Sequence, residues 1–533
     1  MAHPTKISLY VALGLVVRTI AGLKTTASDF VVYGFSQSEV DLEDPQVYEL
    51  EPDITIRAIG KWSTKGDEAS DYNFDQIDRY HDHGVKFMGS GTASVIFPKD
   101  FESQEVFDDM STKDANGDPV PHDEFGFEEP ARRGNVFNPA YRKYLLSWAK
   151  IQVDGGVDGV NFDEWNAGFS GGKKYNFNGN EGFDDYAIAD FTSYLLEKYS
   201  NFTAEDWLSK FDAALDQDFN YRSYLQAHGW DDDPLTTANP LAAEWGRVTA
   251  NRMYADDSSF TATYLRRYWK EVVDELRSYA VKTVGHDILI SSNGLIPYVD
   301  FNSVGMYPWN PDEQTPDYRG ADYVPVSDGR LEGSKSLQKN YRYFKDQSAL
   351  ISGPDVPVAV FVDWPSDMMT DYLNLPLEDK KDYWRIFGAE AYANGLFPAF
   401  HLKDTVGSPS AQEQGVLDFL VEYSSFYKEH AELFVRNHPV HDDLVISDGI
   451  AASLLEQTDS GRLTIHLVNH KYDGGISPVT DLELSVSVSK CPGRIEAVSP
   501  DGEVEAGIVS CSGGKLAVVV GRLEYYAVLS LLS

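Results

Sequence analysis

Short apolar runs alternate with longer amphipathic stretches over most of this 533-residue chain. Phe30 to Phe35 and Ile54 to Ile59 are the first two runs, and the second ends at Gly60-Lys61-Trp62. A helical pattern over Phe74–His83 stops at Gly84, and Val85 to Met88 gives a third run leading into Gly89-Ser90-Gly91. Tyr141 to Val153 reads as a helix and Gly159 to Phe162 as a fourth strand. A long stretch with helical patterns at Asp184–Tyr199 and Thr261–Val284 precedes a fifth strand, Asp287 to Ser291. Ser303 to Met306, Val356 to Val362 and Leu396 to Phe400 are strands six to eight, and an amphipathic helix over Gln412–Phe434 closes the series. Uniformly apolar strands separated by helices are what a parallel sheet buried on both faces requires. Eight of them predict a (β/α)8 barrel. The rival is an open doubly wound sheet, but no G-x-G-x-x-G or phosphate-binding loop opens a helix.

From about Val440 the period changes. Leu463 to Val468, Leu482 to Val488, Leu516 to Val520 and Tyr525 to Leu532 follow one another without helices, and Asp-Gly, Pro-Gly and Gly-Gly pairs separate them. This predicts an antiparallel β-sandwich. The expected organisation is a leader over residues 1–28, a barrel over 29–436 with an insertion at 166–285 after strand four, and a sandwich over 437–533. The leader rests on Lys6 followed by an apolar run from Ile7 to Val17, too short for a comfortable membrane span. It makes the chain secreted or cell-surface in expectation, and Asn201-Phe202-Thr203 is a glycosylation sequon that fits this.

Net charge is −39, which argues against nucleic acid or an anionic membrane as partner, since both need a basic face. It also disfavours a highly anionic polysaccharide. Aromatic residues reach 13%, enough to supply flat rings for stacking on sugars as well as core packing. The two cysteines, Cys491 and Cys511, lie in strand-like stretches of the last domain. They form either one disulfide or two buried thiols. No Cys/His spacing suits zinc, and His81-Asp82-His83 falls on a helix end before strand three, at the face of a barrel remote from chemistry. No metal or other cofactor is expected. The oligomeric state is left open.

Barrel enzymes place their chemistry where strands end. Asp163 and Glu164 follow strand four, Asn293 follows strand five, Tyr307 and Trp309 follow strand six, Asp363 and Trp364 follow strand seven, and His401 follows strand eight. Lys61, Trp62 and Ser90 stand at early strand ends. Hydrolysis of a glycosidic bond needs one carboxyl held protonated and another held ionised on either side of the bond. Asp163, directly at a strand end, is the candidate ionised group. Glu164 and Asp363 are the candidates for its partner. Trp62, Trp165, Asn293, Tyr307, Trp309, Trp364 and His401 are candidate substrate contacts, with Trp165, Trp309 and Trp364 as sugar platforms.

Asn138-Pro139-Ala140-Tyr141-Arg142 followed by Asp158-Gly159-Val160-Asn161-Phe162-Asp163-Glu164 resembles a recurring stretch of barrel glycosidases. The resemblance extends to α-galactosidase-like and α-glucosidase-like barrels and to glycosyl hydrolases related to β-galactosidases. It implies a barrel followed by a β-sandwich, with Asp163 at the nucleophile position. Families with an Asn-Glu pair on strand four need Asn where Asp163 stands and Glu where Asp363 stands. Chitinase-like barrels need acids where Asn161 and Trp165 stand. The reading is a glycoside hydrolase acting on a neutral or weakly charged oligo- or polysaccharide, retaining with Asp163 as nucleophile if its carboxyls stand about 5–5.5 Å apart and inverting if about 6.5–9.5 Å. The alternatives are a non-catalytic carbohydrate-binding protein on the same scaffold, and a metal-dependent barrel hydrolase. The last needs histidine ligands at the first strand, where Gly34-Phe35-Ser36-Gln37 offers none.

Overall fold

In a computed structural model, the described residues are 31–33, 52–57, 74–122, 130–163, 165, 181–228, 252–306, 309–310, 315–316, 333–362, 376–401, 423–434, 436–440, 444–447, 449–471 and 476–532. The predicted leader lies outside them. Eight parallel strands form a closed barrel: β1 (Val31–Tyr33), β2 (Ile54–Arg57), β3 (Lys86–Thr92), β4 (Gly159–Asp163), β5 (Leu289–Asn293), β6 (Phe301–Met306), β7 (Val358–Val362) and β8 (Phe397–His401). Their order around the barrel is β1-β8-β7-β6-β5-β4-β3-β2, that is, sequence order throughout. Two sheets follow at the C-terminus. One has the order β9-β10-β11-β16-β13 and the other β12-β15-β14, where β9 is Asn437–Pro439, β10 Ile450–Gln457, β11 Leu463–Asn469, β12 Val479–Ser487, β13 Arg494–Val498, β14 Ala506–Ser512, β15 Lys515–Leu523 and β16 Tyr526–Leu532.

The described residues divide into two compact units, residue 74 and those within 89–298 in one, and those within 31–57, 75–88 and 299–532 in the other. The first holds the end of β3, β4 and β5 and the helices that follow them. Here the structure adds an excursion that the sequence pattern did not announce. Residues after β3 run through the two-residue strand Val95–Ile96 and helix α2 (Gln104–Met110), and return through Arg132–Arg133, which pairs with Val95–Ile96. Helix α3 (Pro139–Asp154) then begins at an Asn-Pro start. The Asn138 side chain accepts from Ala140 N (2.8 Å), and proline at the first helical position has no N–H to leave orphaned. Asn138 Nδ2 also donates to the backbone and side chain of Asp109, both at 2.9 Å, which ties the helix start to the end of α2. Buried Tyr141, Leu145, Trp148, Ala149 and Gln152 recur at helical spacing on one face of α3. The later helix α7 (Tyr254–Thr283) starts seven residues before the predicted Thr261.

The second unit joins barrel and sandwich. In β12, Leu482, Leu484 and Val486 point into the sandwich core, and in β15 Leu516, Val518 and Val520 meet them. Strand β16 is buried on both faces. Ala527, Leu529 and Leu531 enter the sandwich core, whereas Tyr526 on the opposite face approaches Tyr427 of the helical stretch 423–429, ring centroids 6.1 Å apart. The barrel helix α9 (Leu377–Ala393) supplies the other half of this junction. Its Glu390 pairs with His470 at 2.8 Å, both fully buried, and Tyr525 OH donates to Asp382 at 2.7 Å. Arg385 stacks 4.5 Å over the Tyr525 ring. Burying polar groups without partners is unfavourable, and Asn394 Nδ2 supplies a further partner by donating to Glu390 at 3.0 Å. Cys491 and Cys511 form a disulfide, which settles the alternative left by the sequence.

Two buried groups at this junction titrate in opposite senses. Burial pushes Asp501 up to about 6, against the Tyr526 N–H and Arg385 that favour its charge. Burial alone drives His466 down to about 3. A carboxyl raised in the fold stabilises it below the ordinary carboxylate range and loses that contribution as pH rises through about 6. A histidine lowered in the fold stabilises it above about 6.5, and loses that contribution as pH falls toward its folded value. The two slopes oppose each other between about pH 4 and 6. Asp501→Asn removes one of them. The expected result is that the variant loses roughly 1 kcal/mol more stability per unit of acidification from pH 6 to 4 than the parent, read from urea unfolding at pH 4, 5 and 6; parallel curves for the two proteins would contradict the assignment.

Candidate active site

The site is built on β3, β4 and β5, all within the first unit at their C-terminal ends. Which way each side chain points follows from strand alternation. In β4, Phe162 is turned to the helix layer, 5.9 Å from Trp148 of α3 and 5.3 Å from Trp269 of α7 (ring centroids). Asn161 and Asp163 therefore face the other way, into the barrel. In β3, Gly91 is on the helix side: a Cβ there would lie 2.2 Å from the Trp148 ring. Ser90 and Thr92 consequently face inward with Asn161 and Asp163.

Two polar rungs result. In the lower one, Asn161 Nδ2 donates to Ser90 Oγ (3.0 Å) and Ser291 Oγ of β5 donates to Asn161 Oδ1 (2.8 Å). All three residues are buried, and the amide is matched on both its donor and acceptor sides. One rung nearer the strand ends, Thr92 Oγ1 donates to Asp163 Oδ2 (3.1 Å). Asp163 is 2% exposed, and Ala93 N donates to its backbone oxygen at 2.7 Å, so its side chain is anchored to β3 and its main chain to the residue that follows β3. The β4–β5 register pairs Asn161 with Ser291. Half-buried Asn293 ends β5 two residues beyond Ser291, as Asp163 ends β4 two residues beyond Asn161. A carboxylate with a hydroxyl donor on one side and an amide on the next strand can act as an anchored anion beside a polar ligand.

Tyr141 of α3 fixes the chain just past β3 by donating to the Ala93 carbonyl. Arg142 binds the carbonyls of Val136 (2.7 Å) and Phe137 (3.0 Å) and lies 3.8 Å over the Tyr268 ring. The Asn-Pro-x-Tyr-Arg stretch that carries the resemblance thus acts as a brace for the β3 end.

The ten residues singled out by the sequence fare differently. Asp163 and Asn293 stand as described, each as the last residue of its strand. Trp165 is a correction: it is 1% exposed and packs against Trp269 (centroids 4.8 Å) and Phe162, in the core rather than on a sugar-facing surface. The reason is a tight turn, with Trp165 N donating to Phe162 O (3.3 Å), that returns the chain to the helix side of the sheet. His401 ends β8 opposite Tyr33 of β1, and Trp309 begins a two-residue strand paired with Thr315–Pro316; these are backbone placements. Trp62, Glu164, Tyr307, Asp363 and Trp364 lie outside the described residues. Ser90, read as a strand-end residue, is inside β3 and belongs to the lower rung. Thr92 was missed because Gly89-Ser90-Gly91 reads as the end of a strand, although β3 runs on to Thr92.

No protein-family model and no curated protein matches the sequence. Solved structures do match by shape. One is a cycloisomaltooligosaccharide glucanotransferase of a Paenibacillus species, solved with cycloisomaltoheptaose, at 9% identity over 95% of this chain and 85% of that one, with a TM-score of 0.52. Another is α-L-fucosidase isoenzyme 2 from Paenibacillus thiaminolyticus, at 9% identity over 94% of this chain and 99% of that one, with a TM-score of 0.51. At that identity the likeness is one of fold, and it extends over nearly the whole chain.

The close approach of Trp148 to β3 sets the inward direction of Thr92. Gly91→Ala would force that ring or strand to move, and overpacking of this kind costs about 1–3 kcal/mol. The expected outcome is a lower unfolding midpoint in urea, with Trp148→Leu in the Gly91→Ala background recovering part of the loss; an unchanged midpoint would show that the gap at Gly91 is not needed.

Proposed function

We propose that the chain is a retaining glycoside hydrolase that cleaves a neutral or weakly charged oligo- or polysaccharide. The observation that carries this reading is Asp163, an inward-facing residue at the C-terminal end of the fourth barrel strand, its carboxylate held by the Thr92 hydroxyl and its backbone carbonyl by the Ala93 N–H. The C-terminal face of the strands is where barrel enzymes do their chemistry. The fold supports the reading too, because both structural neighbours named above are glycoside-processing enzymes by their names, a glucanotransferase and a fucosidase.

In this mechanism an Asp163 oxygen attacks the anomeric carbon, while a protonated carboxyl gives its proton to the departing glycosidic oxygen. The glycosyl ester on Asp163 is then released by water, which returns its proton to the same carboxyl acting as base. The acid is drawn from Glu164 and Asp363. Asn293 is assigned to a sugar hydroxyl near Asp163, with Trp62, Tyr307, Trp309, Trp364 and His401 as further substrate contacts. Carbohydrate is the only partner this reading requires, and it needs no cofactor. The Cys491–Cys511 disulfide supports an oxidising compartment and hence a secreted or cell-surface location.

Aryl glycosides and neutral polysaccharides screened against wild type, Asp163→Asn, Glu164→Gln and Asp363→Asn test the proposal. Asp163→Asn is expected to lose on the order of 10⁴-fold in kcat/KM, the scale on which removing a member of a catalytic set acts. A wild-type-like rate for Asp163→Asn ends the assignment. Stable sugar binding with no turnover by the wild type would instead support a carbohydrate-binding protein.

A further inference from the structure

We propose that Thr92 is the positioning residue of Asp163, its hydroxyl fixing the carboxylate's orientation and favouring its ionised form. This rests on the reading of Asp163 as the reacting carboxylate. The geometry behind it is independent of that reading. Thr92 Oγ1 lies 3.1 Å from Asp163 Oδ2, and both residues are buried, so water competes little for the interaction. Inside a low-dielectric site, a hydrogen bond to a carboxylate stabilises the anion more than it does at a surface.

Three features make Thr92 a fixed donor. Its β-branched side chain is stiff at χ1. The residue before it is pressed against Trp148 through the missing Cβ of Gly91. The residue after it, Ala93, donates its N–H to Asp163 O and accepts from Tyr141 through its own carbonyl. The strand end carrying the hydroxyl is thus held by α3 on one side and by β4 on the other. Below it, Asn161 is hydrogen-bonded to Ser90 on one side and to Ser291 on the other, so the amide under the carboxylate already has partners. Thr92 therefore acts on the reaction through Asp163 without itself reaching substrate.

Thr92→Val keeps the shape and removes the hydroxyl, and Thr92→Ser keeps the hydroxyl. Thr92→Ala serves as a second hydroxyl-free variant should valine fail to fold. With an active aryl glycoside, the hydroxyl-free variant is expected to lose about 10- to 100-fold in kcat, with little change in KM. The acidic limb of its pH profile should move up by about one unit, and Thr92→Ser should restore both. A second readout needs no turnover. In protein labelled with ¹³C at the aspartate carboxyl, the Asp163 resonance, assigned by its loss in Asp163→Asn, should titrate about one unit higher without the hydroxyl. Equal Asp163 titration in wild type and the hydroxyl-free variant overturns the proposal. A wild type with no glycosidase activity, but with the expected shift in titration, overturns the functional reading and leaves the positioning role standing.

Discussion

The aromatic wedge between the sheet and its helices is the constraint on which the site depends. Phe162 is clasped by Trp148 and Trp269, and Gly91 lets Trp148 reach the backbone of β3. A strand has two faces with a period of two, so fixing Phe162 and Gly91 outward leaves no freedom for their neighbours. Asn161, Asp163, Ser90 and Thr92 must face inward. A slip of one residue would exchange the two sets, placing carboxylate and amide against tryptophan rings. The direction of Asp163 thus follows from apolar packing on the opposite side of the sheet.

That packing leaves polar groups in a closed interior, and the structure meets the cost by matching them in layers. The Ser90–Asn161–Ser291 rung uses both ends of an amide, and the Thr92–Asp163 pair stands on top of it. In the second unit, Glu390 of α9 meets His470 at the end of the sandwich strand β11, with Asn394 as a further donor. In both places, side chains on adjoining elements accompany the burial of polar groups, which would otherwise be unfavourable.

Much of the architecture was legible in the chain because buried parallel strands must be apolar runs, and half-buried antiparallel ones must alternate. Val358–Val362 and Leu482–Val486 are plain examples of each. The excursion after β3 was not legible, since its paired strands are two residues long and carry no period. Gly89-Ser90-Gly91 misled for a physical reason: glycine usually punctuates a strand, but Gly91 here makes room for a ring brought from α3. Trp165 misled because sequence places it past a strand end and does not show the turn that sends it back beside Phe162. The place of Asp163 at a strand end is readable in the chain, whereas its bond from Thr92 depends on a strand boundary and a pairing that are not.

The most direct test of the account is to trap the covalent step. Incubating the protein with a 2-deoxy-2-fluoro glycosyl fluoride whose parent sugar scores in the activity screen, then digesting it for peptide mass spectrometry, reads the site of attachment. The account predicts one fluoroglycosyl unit esterified to Asp163. The same label on any other carboxylate, or inverted product stereochemistry with no label, would contradict it.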